Sequence, residues 1–359
     1  MPQKVLLAYH RFPPIADDLK NAFERQGVKT EIFYTTDYEH WFYYQVIRRI
    51  NKLARNLRLV RKGTDLFESH PLNLTNHVSS HFEKRLAEFQ PDAILVIHGL
   101  PFGESVLSTS SIPKIGWHLE PRDDLPYLIS NASPFNIYNS FSQKDVDLLV
   151  GEGFDCRYLC HAVAPEKFYS EPDTPKKFDL TFVGNWSVLR DETVNAALEV
   201  TQNIALYGNY WKKKSIIPRK LFRQIYKGEK IVGPDLNHLF NQSRIVLNAS
   251  RIPGSYGLNM RFFEVLSAGS ILLTDRVPEL DKHFSPDTHL VTYQDTNELK
   301  HRLCDLLANP QQQDCIRYAG QSLVHKNHRY DLMAQNFLNQ FQEIMGEISP
   351  SLDGSQIPK

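Results

Sequence analysis

The chain has 359 residues, with 41 Lys and Arg balancing 41 Asp and Glu and with 42% hydrophobic residues. That length suits two domains of about 150–180 residues each, and the neutral balance argues against nucleic acid as the main partner. Four cysteines (Cys156, Cys160, Cys304 and Cys315) lack metal-type paired spacing and read as free thiols, and no apolar run approaches the roughly 18 residues needed to span a bilayer.

The opening residues show no leader pattern and run straight into an apolar strand, Lys4 to Tyr9, which predicts a cytoplasmic location. An amphipathic helix is expected over Ile15 to Gln26 and a second strand over Lys29 to Tyr34. This βαβ opening predicts a parallel, doubly wound sheet. An insertion at 41–63 then interrupts the rhythm. Between Val46 and Lys62 lie Arg48, Arg49, Lys52, Arg55, Arg58, Arg61 and Lys62, with no acidic residue. Ile47, Ile50, Leu53, Ala54, Leu57 and Val60 interleave at helical spacing, and Trp41-Phe42-Tyr43-Tyr44 precedes them. A basic amphipathic helix of this kind suits an anionic membrane surface or an anionic acceptor; the plainer reading is a packing helix with a solvated basic side.

The rhythm resumes with a helix over Val78 to Phe89 and strands over Ala93 to His98, Lys114 to His118 and Phe135 to Tyr138, then a helix over Gln143 to Gly151. In such sheets ligands bind beyond the carboxyl ends of the strands, which here carry His10-Arg11, His98-Gly99 and Trp117-His118-Leu119-Glu120. His118 and Glu120 lie on the same side of an extended segment, and an imidazole near a carboxylate can act as a base near neutral pH. Asp145-Val-Asp147 matches a D-x-D metal pattern, but on a helix of the surface type, so no metal is expected.

Residues 169–177 form a polar, Pro-containing linker. A new set of strands follows over Phe178 to Val183, Ala205 to Tyr207, Ile245 to Asn248, Ile271 to Asp275 and His289 to Tyr293. Helices are expected after Asp191, from an N-cap at Asp235, over Thr296 to Asn309 and over Arg329 to Glu347. Between two of these strands lies the most informative stretch, S-R-I-P-G-S-Y-G-L-N-M-R-F-F-E-V-L-S-A-G-S-I-L-L-T-D, Ser250 to Asp275. A glycine-bearing loop feeding a helix start presents free backbone N–H groups and the positive end of a helix dipole, which favours phosphate. Gly257, Arg261 and Glu264 share one helix face, so Arg261 can clamp a diphosphate and Glu264 can accept from ribose hydroxyls. The alternative for that Arg/Glu spacing is an ion pair.

The string G-L-N-M-R-F-F-E-V-L-S-A-G-S-I-L-L-T-D resembles the signature of the CgeB-like glycosyltransferases, a branch of the GT-B superfamily. F-V-G-N-W-S-V-L-R (Phe182 to Arg190), L-Y-G-N-Y-W (Leu206 to Trp211) and H-R-Y (His328 to Tyr330) fit the same pattern in the same order. The resemblance covers roughly residues 155 to 345. It implies a GT-B fold, α/β, with two Rossmann-like doubly wound domains facing across a cleft. The implied domains are 1–168 on the acceptor side and 178–327 on the nucleotide-sugar side, with 328–347 a helix crossing back and 348–359 a flexible tail.

By the same resemblance, Gly184, Asn185, Arg190, Tyr207, Gly208, Gly257, Leu258, Asn259, Arg261 and Glu264 would hold the donor, with the tyrosine and glycine of the second motif beside the base. Arg261 and Glu264 would act catalytically, and the strand-end pair His118 and Glu120, read from the residues alone, would join them as the base of an inverting enzyme or as sugar-positioning groups of a retaining one. The donor would be a nucleotide-diphosphate sugar, used without metal or other cofactor, and the acceptor a glycan, lipid-linked or small molecule. The wider retaining pattern has an acid eight residues before Glu264; this sequence has Tyr256, so the stereochemistry is not implied. A nucleotide-sugar epimerase and a non-catalytic scaffold are the other readings.

Overall fold

Short apolar runs followed by helices keep meeting the same requirement: consecutive strands that are joined by a helix must run parallel, and both faces of the sheet become covered. In a computed structural model of the protein, residues 1–61, 64–98, 102–103, 105–108, 110–119, 124–251 and 256–348 are described. The chain forms two units. The first comprises Met1–Ser140, Asp145–Leu159 and the segment from Met333 onward; the second comprises Phe141–Lys144 and Cys160–Leu332.

The first unit holds one six-stranded sheet: β1 (Lys4–Tyr9), β2 (Lys29–Tyr34), β3 (Ala93–Ile97), β4 (Lys114–His118), β5 (Ile137–Ser140) and β6 (Cys156–Tyr158). All pairs are parallel, in the order β2-β1-β3-β4-β5-β6. β3 and β4 are buried along their whole length, as fits central strands covered on both faces. The last helix, Tyr330–Ile348, contributes Phe337 to this core, its ring set edge-on to Trp117 at 5.9 Å. Asn139 and Gln340, both buried, exchange two amide hydrogen bonds of 2.9 and 3.1 Å. A buried polar group needs such a partner.

The second unit repeats the pattern with β7 (Phe178–Val183), β8 (Ile204–Tyr207), β9 (Tyr226–Gly228), β10 (Ser243–Asn248), β11 (Ile271–Asp275) and β12 (Val291–Tyr293), in the order β12-β11-β10-β7-β8-β9. The chain therefore builds outward from β7 in one direction and then, from β10, in the other. The reversal lies between β7 and β10, which are hydrogen-bonded neighbours.

Several boundaries depart from the sequence expectations, each for a local reason. β6 and β9 are three-residue edge strands, too short to show a periodicity. The helix expected after Asp191 begins at Val188, because Ser187 caps it by accepting from the Arg190 N–H. Asp235 is not the cap of its helix. Gly233 and Pro234 start it upstream, and Asp235 sits in the first turn, where the dipole favours a carboxylate. A helix over Pro310–Asn327, polar in its first turn, has no counterpart in the expectation. In the basic insertion, a π-helical turn at Tyr43–Ile47 leads into a helix that ends at Asn56, with Arg58 in the left-handed region. That helix is thus shorter than the span to Lys62, itself outside the described residues.

Candidate functional site

Open parallel sheets bind ligands outside the carboxyl ends of their strands, where the strand order reverses. In the second unit that point receives the loops after β7 and β10, and arginines fill it. Arg190, one turn into the helix after β7, donates from Nε to the carbonyl of Ala249 after β10 (2.9 Å) and from Nη1 to the carbonyl of Asn185 (2.9 Å). These bonds tie the two loops together and hold the guanidinium in one place. Burial, and next the charge of Arg251, push the Arg190 pKa down to about 10, with Arg261 acting in the same direction and Asp275 against it. Arg190 stays cationic at neutral pH, and the positive charges of Arg251 and Arg261 both act on it. A bound anion is what would relieve them.

The sequence reading missed Arg251. Its signal was available, since it is the basic residue of the loop directly after β10, and it is exposed. The carboxylate that acts on Arg190 also belongs to a strand end: Asp275 accepts from the Ser250 N–H through both oxygens, at 3.1 and 3.0 Å.

The two glycine motifs meet beside Arg190. Gly184 N–H donates to Tyr207 O (3.0 Å), Trp211 Nε1 donates to Gly184 O (2.8 Å), and Asn185 Oδ1 accepts from both nitrogens of Asn209 at 3.2 Å. Gly208 has φ 148°, and a Cβ there would overlap the Gly184 carbonyl, so the two loops approach in a way only glycine allows. Of the aromatics near the expected base pocket, Trp211 is fully buried in the core, whereas Tyr207 is half-buried at the end of β8.

The signature helix runs Met260–Ser267, and Asn259 caps it by accepting from the Arg261 N–H at 3.0 Å. Two of the expected groups have partners within the protein. Arg261 and Glu264 pair with each other through Nη1 and Oε2, the ion pair that their spacing also allowed. At i and i+3 they are neighbours, and Glu264, 5% exposed, needs a partner for its charge. The Gly257 N–H, expected to face a phosphate, donates instead to Glu279 Oε2 at 3.0 Å. Glu279 is 2% exposed and also accepts from the Gln143 N–H at 3.3 Å, which makes it a structural acceptor that the sequence reading passed over. Gly257 itself is required: φ is 80°, and a Cβ would lie 2.5 Å from the Phe141 ring. Leu258 is fully buried beneath the loop. Residues 252–255 lie outside the described residues.

In the first unit the reversal lies between β1 and β3, and a row of histidines marks the strand ends. The His10 and His98 rings are 5.0 Å apart, and His98 and His118 stack at 6.2 Å with 8° between their planes. His118 is 1% exposed, flanked by Tyr127 and Tyr138, whereas His10 and His98 are half-buried. An imidazole so covered is poorly placed to take a proton from a substrate. Glu120, its expected companion, lies outside the described residues.

Both sheets, their order and their helices match solved structures over nearly the whole chain. Sucrose-phosphate synthase from Thermosynechococcus elongatus superposes with a TM-score of 0.67 at 11% identity, covering 96% of this chain and 100% of that one. HepE from Anabaena in complex with UDP and glucose gives 0.61 at 10%, covering 95% and 100%. A protein assigned as a UDP-N-acetylglucosamine 2-epimerase from Listeria monocytogenes gives 0.58 at 14%, covering 97% and 98%. The fold is GT-B. Residues 190–339 match the sequence model of a family described as glycosyl transferase-like, a stretch that begins at Arg190 and contains the whole signature helix. Among curated proteins, none matches the sequence.

Proposed function

We propose that the protein is a glycosyltransferase that takes its sugar from a nucleotide-diphosphate donor held at the β7–β10 reversal of the second unit. The observation that carries this reading is Arg190, fixed by two backbone carbonyls at the strand-order reversal, with the charges of Arg251 and Arg261 both acting on it. Diphosphate charge grows as the leaving group departs, so fixed cations there favour the transition state over the ground state. They supply the charge that a divalent ion supplies elsewhere, and the donor needs no metal on this reading. Gly184, Gly208 and Tyr207 are the walls suited to the nucleoside, and Glu264 keeps one carboxylate oxygen for a hydroxyl. HepE, with the same fold, binds UDP and glucose, which makes UDP the first nucleotide to try. On the acceptor side, His98 and His10 are less covered than the buried His118.

The test is thermal shift against UDP, GDP, ADP, dTDP and their sugars, followed by product analysis. A nucleotide at 100 times its Kd should raise stability by about 2.7 kcal/mol. Silence across the panel would end the donor-site reading and leave a scaffold. A sugar converted without any acceptor present would favour the epimerase, the activity assigned to the Listeria neighbour.

The basic insertion supports a peripheral membrane role at the inner face of the membrane. Ile47, Asn51 and Ala54 point inward, while Ile50, Leu53, Leu57 and Leu59 are exposed, Leu59 to 73%, among Arg48, Arg49, Lys52, Arg55 and Arg58. An ordinary packing helix buries its leucines. Exposed leucines among cations suit an anionic lipid surface. Among the described residues no helix is long and apolar enough to cross a membrane.

A further inference from the structure

Cys160 follows β6 by two residues, where the chain enters its long run through the second unit. His328 stands 168 residues later, between the helix Pro310–Asn327 and the helix Tyr330–Ile348, close to where that run ends. His283 is the last residue of a short helix, Leu280–His283. The Sγ of Cys160 lies 3.6 Å from His328 Nδ1, and one donor atom from each of the three residues falls within 4.8 Å of the others. We infer that Cys160, His283 and His328 form a zinc-type metal site that clips the entry and exit segments of the second unit together.

The geometry matches the chemistry. With Zn–S of about 2.3 Å and Zn–N of about 2.0 Å, a tetrahedral centre has a sulfur–nitrogen edge of roughly 3.5 Å. The ligand-bearing segments are pre-aligned by backbone: Val163 N–H donates to His328 O at 2.9 Å, and Tyr330 N–H donates to Val163 O at 3.3 Å. Aromatic rings line one side, with Phe263 5.1 Å and Phe284 5.8 Å from the His328 ring, both almost fully buried, while His283 and His328 are half-buried. One thiolate and two imidazoles select a borderline-soft divalent ion over magnesium or calcium. Among the described residues no fourth Cys, His, Asp or Glu joins the set, so water or a ligand completes the coordination. Binding would release the thiol proton, and a cross-link over so long a loop stabilises by restricting the unfolded chain.

The experiment uses the full chain with exposed Cys304 and Cys315 changed to Ser. Metal analysis of the purified protein should find zinc at about one equivalent per chain, as a single tetrahedral set holds one ion. After stripping, added Co²⁺ should give the intense visible bands of a tetrahedral site and a thiolate-to-cobalt charge-transfer band. Cys160→Ser should remove the charge-transfer band, and His328→Ala should weaken Co²⁺ binding by about two orders of magnitude or more. Because the charge-transfer band is read on protein with Cys160 intact, the test does not depend on the variants folding. No zinc and no charge-transfer band in the parent protein would overturn the proposal, as would unchanged bands in Cys160→Ser. Nucleotide binding is a separate readout, so failure here leaves the donor-site reading untouched.

Discussion

At the scale of single residues, the three arginines differ in what else they do, and that separates their tests. Arg251 is exposed and packs no core, so Arg251→Ala should leave the melting temperature unchanged while weakening nucleoside-diphosphate binding about 10-fold, the effect of one charge-assisted hydrogen bond. Isothermal titration with UDP measures it, and an unchanged Kd would take Arg251 out of the site. Arg261 has two duties, since it also neutralises buried Glu264. Arg261→Ala should therefore cost about 3–4 kcal/mol in kcat/KM and, by leaving a buried carboxylate unpaired, about 3–5 kcal/mol of stability. Adding Glu264→Gln should recover much of the stability and none of the turnover. Denaturant unfolding beside steady-state kinetics distinguishes the two losses; if the double variant regains activity, the pair is structural alone.

At the scale of elements, the informative cases are those where a local pattern was right in kind and wrong in extent or direction. The basic helix is the example: its spacing was legible, but which side faced the protein was not. Asn51 anchors the inward side by donating to Asp65 Oδ1 at 2.6 Å, and that bond turns Leu53 outward. Arg48→Glu, Arg49→Glu, Lys52→Glu and Arg55→Glu together should abolish co-sedimentation with phosphatidylserine vesicles, and Leu53→Ser should weaken it, without changing the fold. Equal pelleting of wild type and variants would leave the insertion a solvated packing helix. The signature helix teaches the same lesson. Its start, cap and one-sided placement of Arg261 and Glu264 were readable from spacing, yet Glu279 takes the Gly257 N–H from 22 places along the chain, where no local rule points.

At the scale of the whole molecule, the chain threads the first unit, then the second, and returns to the first through its last helix. Phe337 against Trp117 and the Asn139–Gln340 amide pair make that return part of the first core. Phe337→Ala should therefore cost about 3–5 kcal/mol and unfold the first unit at lower denaturant, followed by tryptophan fluorescence. A loss below about 1 kcal/mol would mean the helix only rests there.

What the sequence determined by itself was the alternation of strand and helix, the parallel α/β class and the loop-helix signature. Each of these is written in neighbouring residues through periodicity, caps and glycines. Only the tertiary structure decided the strand orders and hence the reversal at β7 and β10, the tie from Arg190 to Ala249, and the burial of His118 behind His98. It alone also brought Cys160, His283 and His328 together. These depend on contacts between residues far apart in the chain, and such contacts arise from how whole sheets and helices pack, which no local pattern encodes.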